Sequence, residues 1–340
     1  MVAVGAAVPC VCPRHWEAFA GIFVLLGRVM GGGGVRLHMA EGTGTDASGP
    51  VVRVVQANVP QREKWRPEWI EPNFARHLAM SLPEAGEPDP DIVIWPETSA
   101  TFLINEHAGA RRRIGDVAER LDAIVITGAP RVERTATATR AYNSAVAIDG
   151  RGTIGATADK RHLVPFGEYL PLREILSRIG LDKLAQGRGD FSAGTGEGIL
   201  DLPGLPDAKA LICYEVIFDD EAATDGPRPG WLLSLTNDAW FGTLTGPDQH
   251  FAMARFRAVE QALPMVRAAG TGISAVVDAY GQVRARLRLG EAGVISARLP
   301  QSGQQSLFAI AGDWPTVGMC FLILVMAIAG KTTIRRRVVR

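Results

Sequence analysis

From Val51 onward, short runs of β-branched residues alternate with stretches of helical periodicity, and this alternation constrains the fold more than any other feature. VVRVVQA (51–57), DIVIW (91–95) and AIVITGA (123–129) read as strands, separated by helical segments at 68–82 and 106–122. YNSAVAIDGRGTIGATAD (142–159) reads as a hairpin turning at Asp149-Gly150. Further strands are expected at ALICY (210–214), WLLSLTN (231–237), ISAVVD (273–278) and GVISARL (293–299). DQHFAMARFRAVEQAL (248–263) is helical, with Phe251, Ala254, Ala258 and Ala262 on one face. The pattern predicts an α/β domain over residues 51–305. Neither an internal repeat nor a shift in composition divides it.

Composition matters most at the flanks. With 47% hydrophobic and 21% charged residues, the chain can bury a sizeable core. Lys+Arg and Asp+Glu number 36 each, so no global charge points to a nucleic-acid partner. The last ten residues, KTTIRRRVVR, nevertheless carry five basic side chains and no acid. Just before them TVGMCFLILVMAIAG (316–330) holds no charge, with Trp314-Pro315 at its border. This predicts a C-terminal transmembrane helix with a cytoplasmic tail and everything before Trp314 on the far side of the membrane. AFAGIFVLLG (18–27) is a shorter apolar segment that suits a short membrane helix, an uncleaved signal-type segment or an interfacial helix. GGGG (31–34) and EGTGTDASGP (41–50) read as flexible linker. The expected division is thus 1–50 apolar segment and linker, 51–305 folded body, and 306–340 membrane helix and tail.

The four cysteines, Cys10, Cys12, Cys213 and Cys320, are too few for a disulfide framework. Neither they nor the six scattered histidines complete a zinc-type ligand set, so no metal or cofactor is expected. Three strand ends carry unusual chemistry instead: Pro96-Glu97-Thr98 after DIVIW, Asp159-Lys160-Arg161-His162 after the hairpin, and Cys213-Tyr214-Glu215 after ALI. Strand ends are where ligands gather in α/β folds. A thiol, a carboxylate and an ammonium brought together would supply a nucleophile, its base and a positive group for a developing oxyanion. Taken singly, Cys213 reads as a core cysteine, and Glu97 and Lys160 as solvated charges.

WPET, DKRHLVPFGEYLP, ICYE and NDAWFG, in that order, resemble the signatures of the nitrilase (carbon–nitrogen hydrolase) superfamily. KRHLVPFGEYLP and QANVPQREKW are similar, more narrowly, to the apolipoprotein N-acyltransferase family of the bacterial inner membrane. The resemblance covers roughly residues 50–330 and implies a four-layer α-β-β-α sandwich with a Glu-Lys-Cys triad. Carried over motif by motif, the triad is Glu97, Lys160 and Cys213. Glu168 is the second glutamate of the lysine motif, Tyr214 and Glu215 shape the pocket and oxyanion site, and Trp65 lies near a lipid-facing cavity. The implied reaction moves an acyl chain from a phospholipid onto Cys213 and then onto the α-amine of a diacylglyceryl-cysteine of a lipoprotein. Full-length members begin with a bundle of membrane helices, against the one short apolar segment at 18–27 here. Gly270 stands where the family usually has Asn, and glycine admits the same left-handed turn. Two other readings of the same residues are an amidase that uses water as acceptor and an accessory envelope protein without catalysis.

Overall fold

The computed structural model describes residues 16–40, 49–172, 190–224 and 226–325. The chain forms two compact units, Met1–Asp46 and Ala47–Arg340. Within the first, a single helix runs from Trp16 to Ala40, straight through the GGGG stretch that the sequence marks as linker. Glycine costs roughly 1 kcal/mol per residue against alanine in a helix, a penalty that does not prohibit helix between LLGRVM and VRLHMA. Of the expected linker, residues 41–48 lie outside the described residues.

The second unit holds two six-stranded sheets. One has the order β12-β1-β2-β3-β4-β5, with β1 Val51–Gln56, β2 Ile92–Ile94, β3 Ile124–Arg134, β4 Thr139–Ile148, β5 Ile154–Asp159 and β12 Gly293–Arg298. The other has the order β11-β10-β9-β8-β7-β6, with β6 Ile199–Leu200, β7 Ala208–Ile212, β8 Trp231–Thr236, β9 Met265–Ala269, β10 Ala275–Val277 and β11 Val283–Arg286. In each sheet three neighbouring strands are parallel, β1-β2-β3 and β7-β8-β9, and the flanking pairs are antiparallel. The parallel strands β1, β2, β7, β8 and β9 are buried along their whole length. That is why their sequences read as mostly apolar runs, without a regular alternation of polar residues, and why the long polar side chains they do carry, Arg53, Gln56, Lys209 and Arg267, are themselves buried.

Three apolar clusters make the core. Val52, Val54, Ile92 and Ile94 of the first sheet meet Ile212, Leu233, Leu235 and Val266 of the second. On the outer face of the first sheet Phe74 and Ile114, from the helices Pro67–Ser81 and Ala108–Leu121, pack with Val93, Trp95 and Val125. Phe251, Ala254 and Ala258 of the helix Gly246–Gln261 cover Leu232, Met265 and Val277 of the second sheet. Arg53 is the charged exception in β1; buried, it pairs with Glu87 at 2.8 Å and donates to Met80 and Leu82 carbonyls at the C-terminal end of the Pro67–Ser81 helix.

Three strands are absent from the sequence expectation. β6 is only two residues long, β11 (VRAR) is an exposed edge rich in charge, and β9 (MVRAA) carries a buried arginine. Charged, short edge strands are how sheets avoid edge-to-edge pairing, and they carry no apolar signature. At Gly270 the backbone is not left-handed, so no such turn explains the glycine there. The C-terminal transmembrane helix expected over 314–330 is not found: among the described residues no helix is long and apolar enough to cross a membrane. Helical backbone runs over 314–325, about 18 Å at 1.5 Å per residue against a hydrocarbon core of roughly 30 Å. Residues 326–330 of the expected span, and the basic tail, lie outside the described residues.

Candidate active site

The parallel arrangement brings the three motif-bearing strand ends to one end of the two sheets. β2 leads through Trp95 and Pro96 to Glu97, which is buried. The chain packs so closely there that a Cβ on Gly128 of β3 would sit 2.5 Å from the Glu97 Cα, which explains the glycine in VITGAP. β5 ends at Asp159, and Lys160 follows, 1% exposed, with its backbone N–H donating to the Asn143 carbonyl at 2.8 Å. β7 ends at Ile212, and Cys213 adopts a left-handed φ of 55° as it opens the 3-10 turn Cys213–Ile217. A non-glycine residue pays for that conformation in strain, and such strain clusters at functional sites.

The side chains form one connected network. Lys160 Nζ pairs with Glu168 Oε2 at 2.8 Å. Glu168 Oε2 also accepts from the Val164 N–H at 2.9 Å. Asn143 Nδ2 donates to Glu97 Oε1 at 2.7 Å and to Glu168 Oε1 at 3.1 Å, so one amide bridges both carboxylates. Glu97 Oε2 is buried without a hydrogen-bond partner among the described residues. Glu215 turns back to accept from the N–H groups of Ile212 (2.7 Å), Arg161 (2.6 Å) and His162 (3.1 Å). It therefore ties the loop after Lys160 to the turn that bears Cys213. Tyr214 packs edge-on against His162 and Phe218, beside the nucleophile and outside the triad itself. Trp65 is partly exposed at the end of the turn Gln61–Lys64, while its neighbour Lys64 points inward and is buried.

Burial and the Glu97 charge push the Cys213 thiol up to about 12, against the opposing pull of Lys160. At rest it is a neutral thiol and needs a base to become a nucleophile. For Lys160 burial works against the charge, yet Cys213, Glu97 and Glu168 together raise its pKa, so the ammonium stays charged. Burial lowers Lys64 to about 8, with Glu97 and Cys213 pulling the other way.

Asn143, Lys64 and a polar cluster behind the nucleophile are not anticipated by the sequence reading. His250 donates from Nε2 to the Cys213 carbonyl at 3.2 Å, and its Nδ1 lies 2.9 Å from Asp238 Oδ1. Arg267 Nη2 reaches both Asp238 oxygens, at 2.8 and 2.9 Å. Asp238 belongs to NDAWFG and His250 to DQHF, so both stand in stretches that the sequence singles out, but nothing in their spacing gives their partners. The cluster fixes the strained backbone of Cys213. His250→Ala removes the donor from a buried carbonyl and is expected to cost about 1–3 kcal/mol. It should also slow alkylation of Cys213 at least tenfold, with His250→Gln recovering part of the rate. Melting curves and iodoacetamide kinetics check both; an alkylation rate unchanged in His250→Ala would remove the clamp.

Two facing sheets with this thiol, carboxylate and ammonium at their shared end define a hydrolase-type fold, and residues 51–307 match the family description "Carbon-nitrogen hydrolase". The chain belongs to that family. It is 39% identical over 333 residues to the apolipoprotein N-acyltransferase of Bradyrhizobium diazoefficiens, covering 96% of this chain and 60% of that one. With the protein of the same name from Rhizobium etli it shares 47% over 254 residues, 73% of this chain and 47% of that one. The chain thus spans 60% or less of the length of these curated relatives. Among solved structures, a carbon-nitrogen hydrolase from Helicobacter pylori is 15% identical and matches with a TM-score of 0.54 over 73% of this chain and 88% of that one, a likeness of fold.

Proposed function

We propose that the protein transfers an acyl chain from a phospholipid, through a thioester on Cys213, to the α-amine of a diacylglyceryl-cysteine at the N-terminus of a lipoprotein. The observation that carries this reading is the network around Cys213: a strained, buried thiol with Glu97 and Lys160 joined through Asn143 and Glu168. The narrower choice of acyl transfer is supported by the similarity to proteins named apolipoprotein N-acyltransferase along nearly the whole chain.

Glu97 Oε2, free of other partners, takes the thiol proton as Sγ attacks the ester carbonyl. Lys160 and the backbone N–H of Tyr214 stabilise the oxyanion, and Glu168 holds Lys160 in place. The ester C–O bond breaks, the proton returns from Glu97 to the departing alkoxide, and lysophospholipid leaves. The acceptor amine then attacks the thioester; the C–S bond breaks, an amide forms and the thiol is restored. Water has to be kept from the thioester, since hydrolysis would waste it.

In this reading the body is the four-layer α-β-β-α sandwich, residues 51–305, working at the inner membrane on its periplasmic side. The apolar segment 314–330 is its attachment and the basic tail is cytoplasmic. The exposed apolar side chains Trp314, Phe321 and Leu322 support that placement, and exposed Trp65 supports a cavity mouth that faces lipid. Intact mass after incubation with phospholipid tests the reading, with Cys213→Ala as control. An acyl increment removed by hydroxylamine and absent from the variant is expected. Fast alkylation of Cys213 without any increment would instead indicate an amidase.

A further inference from the structure

Lys64 is a buried amine that the steps above leave without a task. It ends the turn Gln61–Lys64, is 6% exposed, and donates from Nζ to the Glu97 carbonyl at 2.8 Å. Among the described residues that carbonyl is its only hydrogen-bond partner, and no carboxylate pairs with it. An ammonium has three N–H donors, and a buried one with a single acceptor is costly, so burial brings Lys64 down to about 8, where a neutral fraction exists near neutral pH and grows as pH rises. The titratable groups facing it are Glu97, Cys213 and His77. His77 is itself held neutral, lowered to about 4 chiefly by burial. Beside Lys64 lies a cavity of about 20 Å³ lined by Asn73, His77, Thr98 and Ser99, room for about one water. Asn73 Nδ2 is buried without a partner.

Proton balance separates the two half-reactions. With an ester donor, the thiol proton moves to Glu97 and then to the alkoxide, so one base suffices. An α-amine has a pKa near 7.7–8.0 and arrives at neutral pH mostly as an ammonium. Ammonium plus thioester gives amide, thiol and one released proton. Glu97 accounts for the proton that ends on the thiol, and the other needs a second acceptor.

We propose that Lys64 is that acceptor: its neutral Nζ takes the ammonium proton of the incoming amine, which then attacks the Cys213 thioester as the free base. The inference rests on the acyl-transfer reading. Two amines of similar basicity in one buried site hold a single proton between them, because both charged would be like charges in a low dielectric. The water-sized cavity gives that proton a carrier.

The test uses the full chain in detergent. Acyl-enzyme formation from phospholipid, and its decay on adding a diacylglyceryl-cysteine peptide, are followed by intact mass between about pH 6.5 and 9.5. At pH 7, Lys64→Met should slow the decay at least tenfold more than it slows acyl-enzyme formation. The decay should recover as pH passes the acceptor's own pKa near 8. Lys64→Arg can still donate to the Glu97 carbonyl but cannot give up its proton, and should behave like the Met variant. Normal decay in Lys64→Arg, or equal loss of both steps in Lys64→Met, would make Lys64 a strut for Glu97 and overturn the proposal alone. Failure of the unaltered protein to form any acyl-enzyme would overturn the acyl-transfer reading itself.

Discussion

Glu97→Gln is expected to slow acylation of Cys213 by roughly 10²–10⁴-fold, the usual worth of a positioned general base, while the fold survives. The thiol is pushed up to about 12, so at pH 7 only about one molecule in 10⁵ would carry a thiolate without help. Glutamine keeps an oxygen for Asn143 Nδ2, and so the bridge to Glu168 persists. It has no carboxylate to take the proton. The same change also removes a negative charge that helps hold the thiol up, while burial, the largest cause, still pushes it upward. Iodoacetamide alkylation of the variant should therefore climb about tenfold per pH unit between pH 7 and 9. In the unaltered protein, with Glu97 present to take the thiol proton, the rate should be nearly flat over that range. A flat profile in the variant would exclude Glu97 as the base.

Lys160→Met should abolish acylation and also destabilise the body, by about 3–5 kcal/mol, because it leaves buried carboxylates without their cation. Lys160 is 1% exposed and Glu168 12% exposed, so water cannot substitute for the lost partner. For a domain of this size the melting temperature would fall by roughly 6–20 °C. The sign with pH follows from the direction of the shift. The folded-state pKa of Lys160 is raised. Its stabilising contribution is therefore fully present below the unfolded value near 10.4, and is lost only as pH rises through the folded value. The unaltered protein thus shows no pH dependence from this contribution between pH 6 and 9. A variant as stable as its parent at pH 7 would show that the carboxylates do not depend on Lys160.

Most of the fold was legible because most of its buried parallel strands are predominantly apolar runs, and the helix around Phe251, Ala254 and Ala258 keeps its apolar face. The candidate positions Glu97, Lys160 and Cys213 stood out because each comes within three residues of a strand end. What escaped was polar chemistry buried inside regular elements. Arg267 interrupts MVRAA and hides β9, although it is wholly buried against Asp238. Asn143 looks like any strand residue until its amide is seen between two carboxylates. Lys64 adjoins Trp65 in REKW, and only the three-dimensional arrangement shows which of the two turns inward. Burial of a polar side chain depends on distant partners, and periodicity cannot report it.

The division of the site between two sheets has a consequence for synthesis. Glu97 and Lys160 follow strands of the first sheet, which also carries Asn143, and Cys213 follows a strand of the second. The first sheet is itself completed by β12, paired with β1 across some two hundred and forty residues of chain, as in Val51 with Arg298. A ribosome therefore releases the carboxylate and the ammonium long before the thiol, and the sheet that carries them closes only after residue 298 has emerged. A chain made just past Cys213 holds every reagent but not their alignment, so the nucleophile is armed only when the body around it closes.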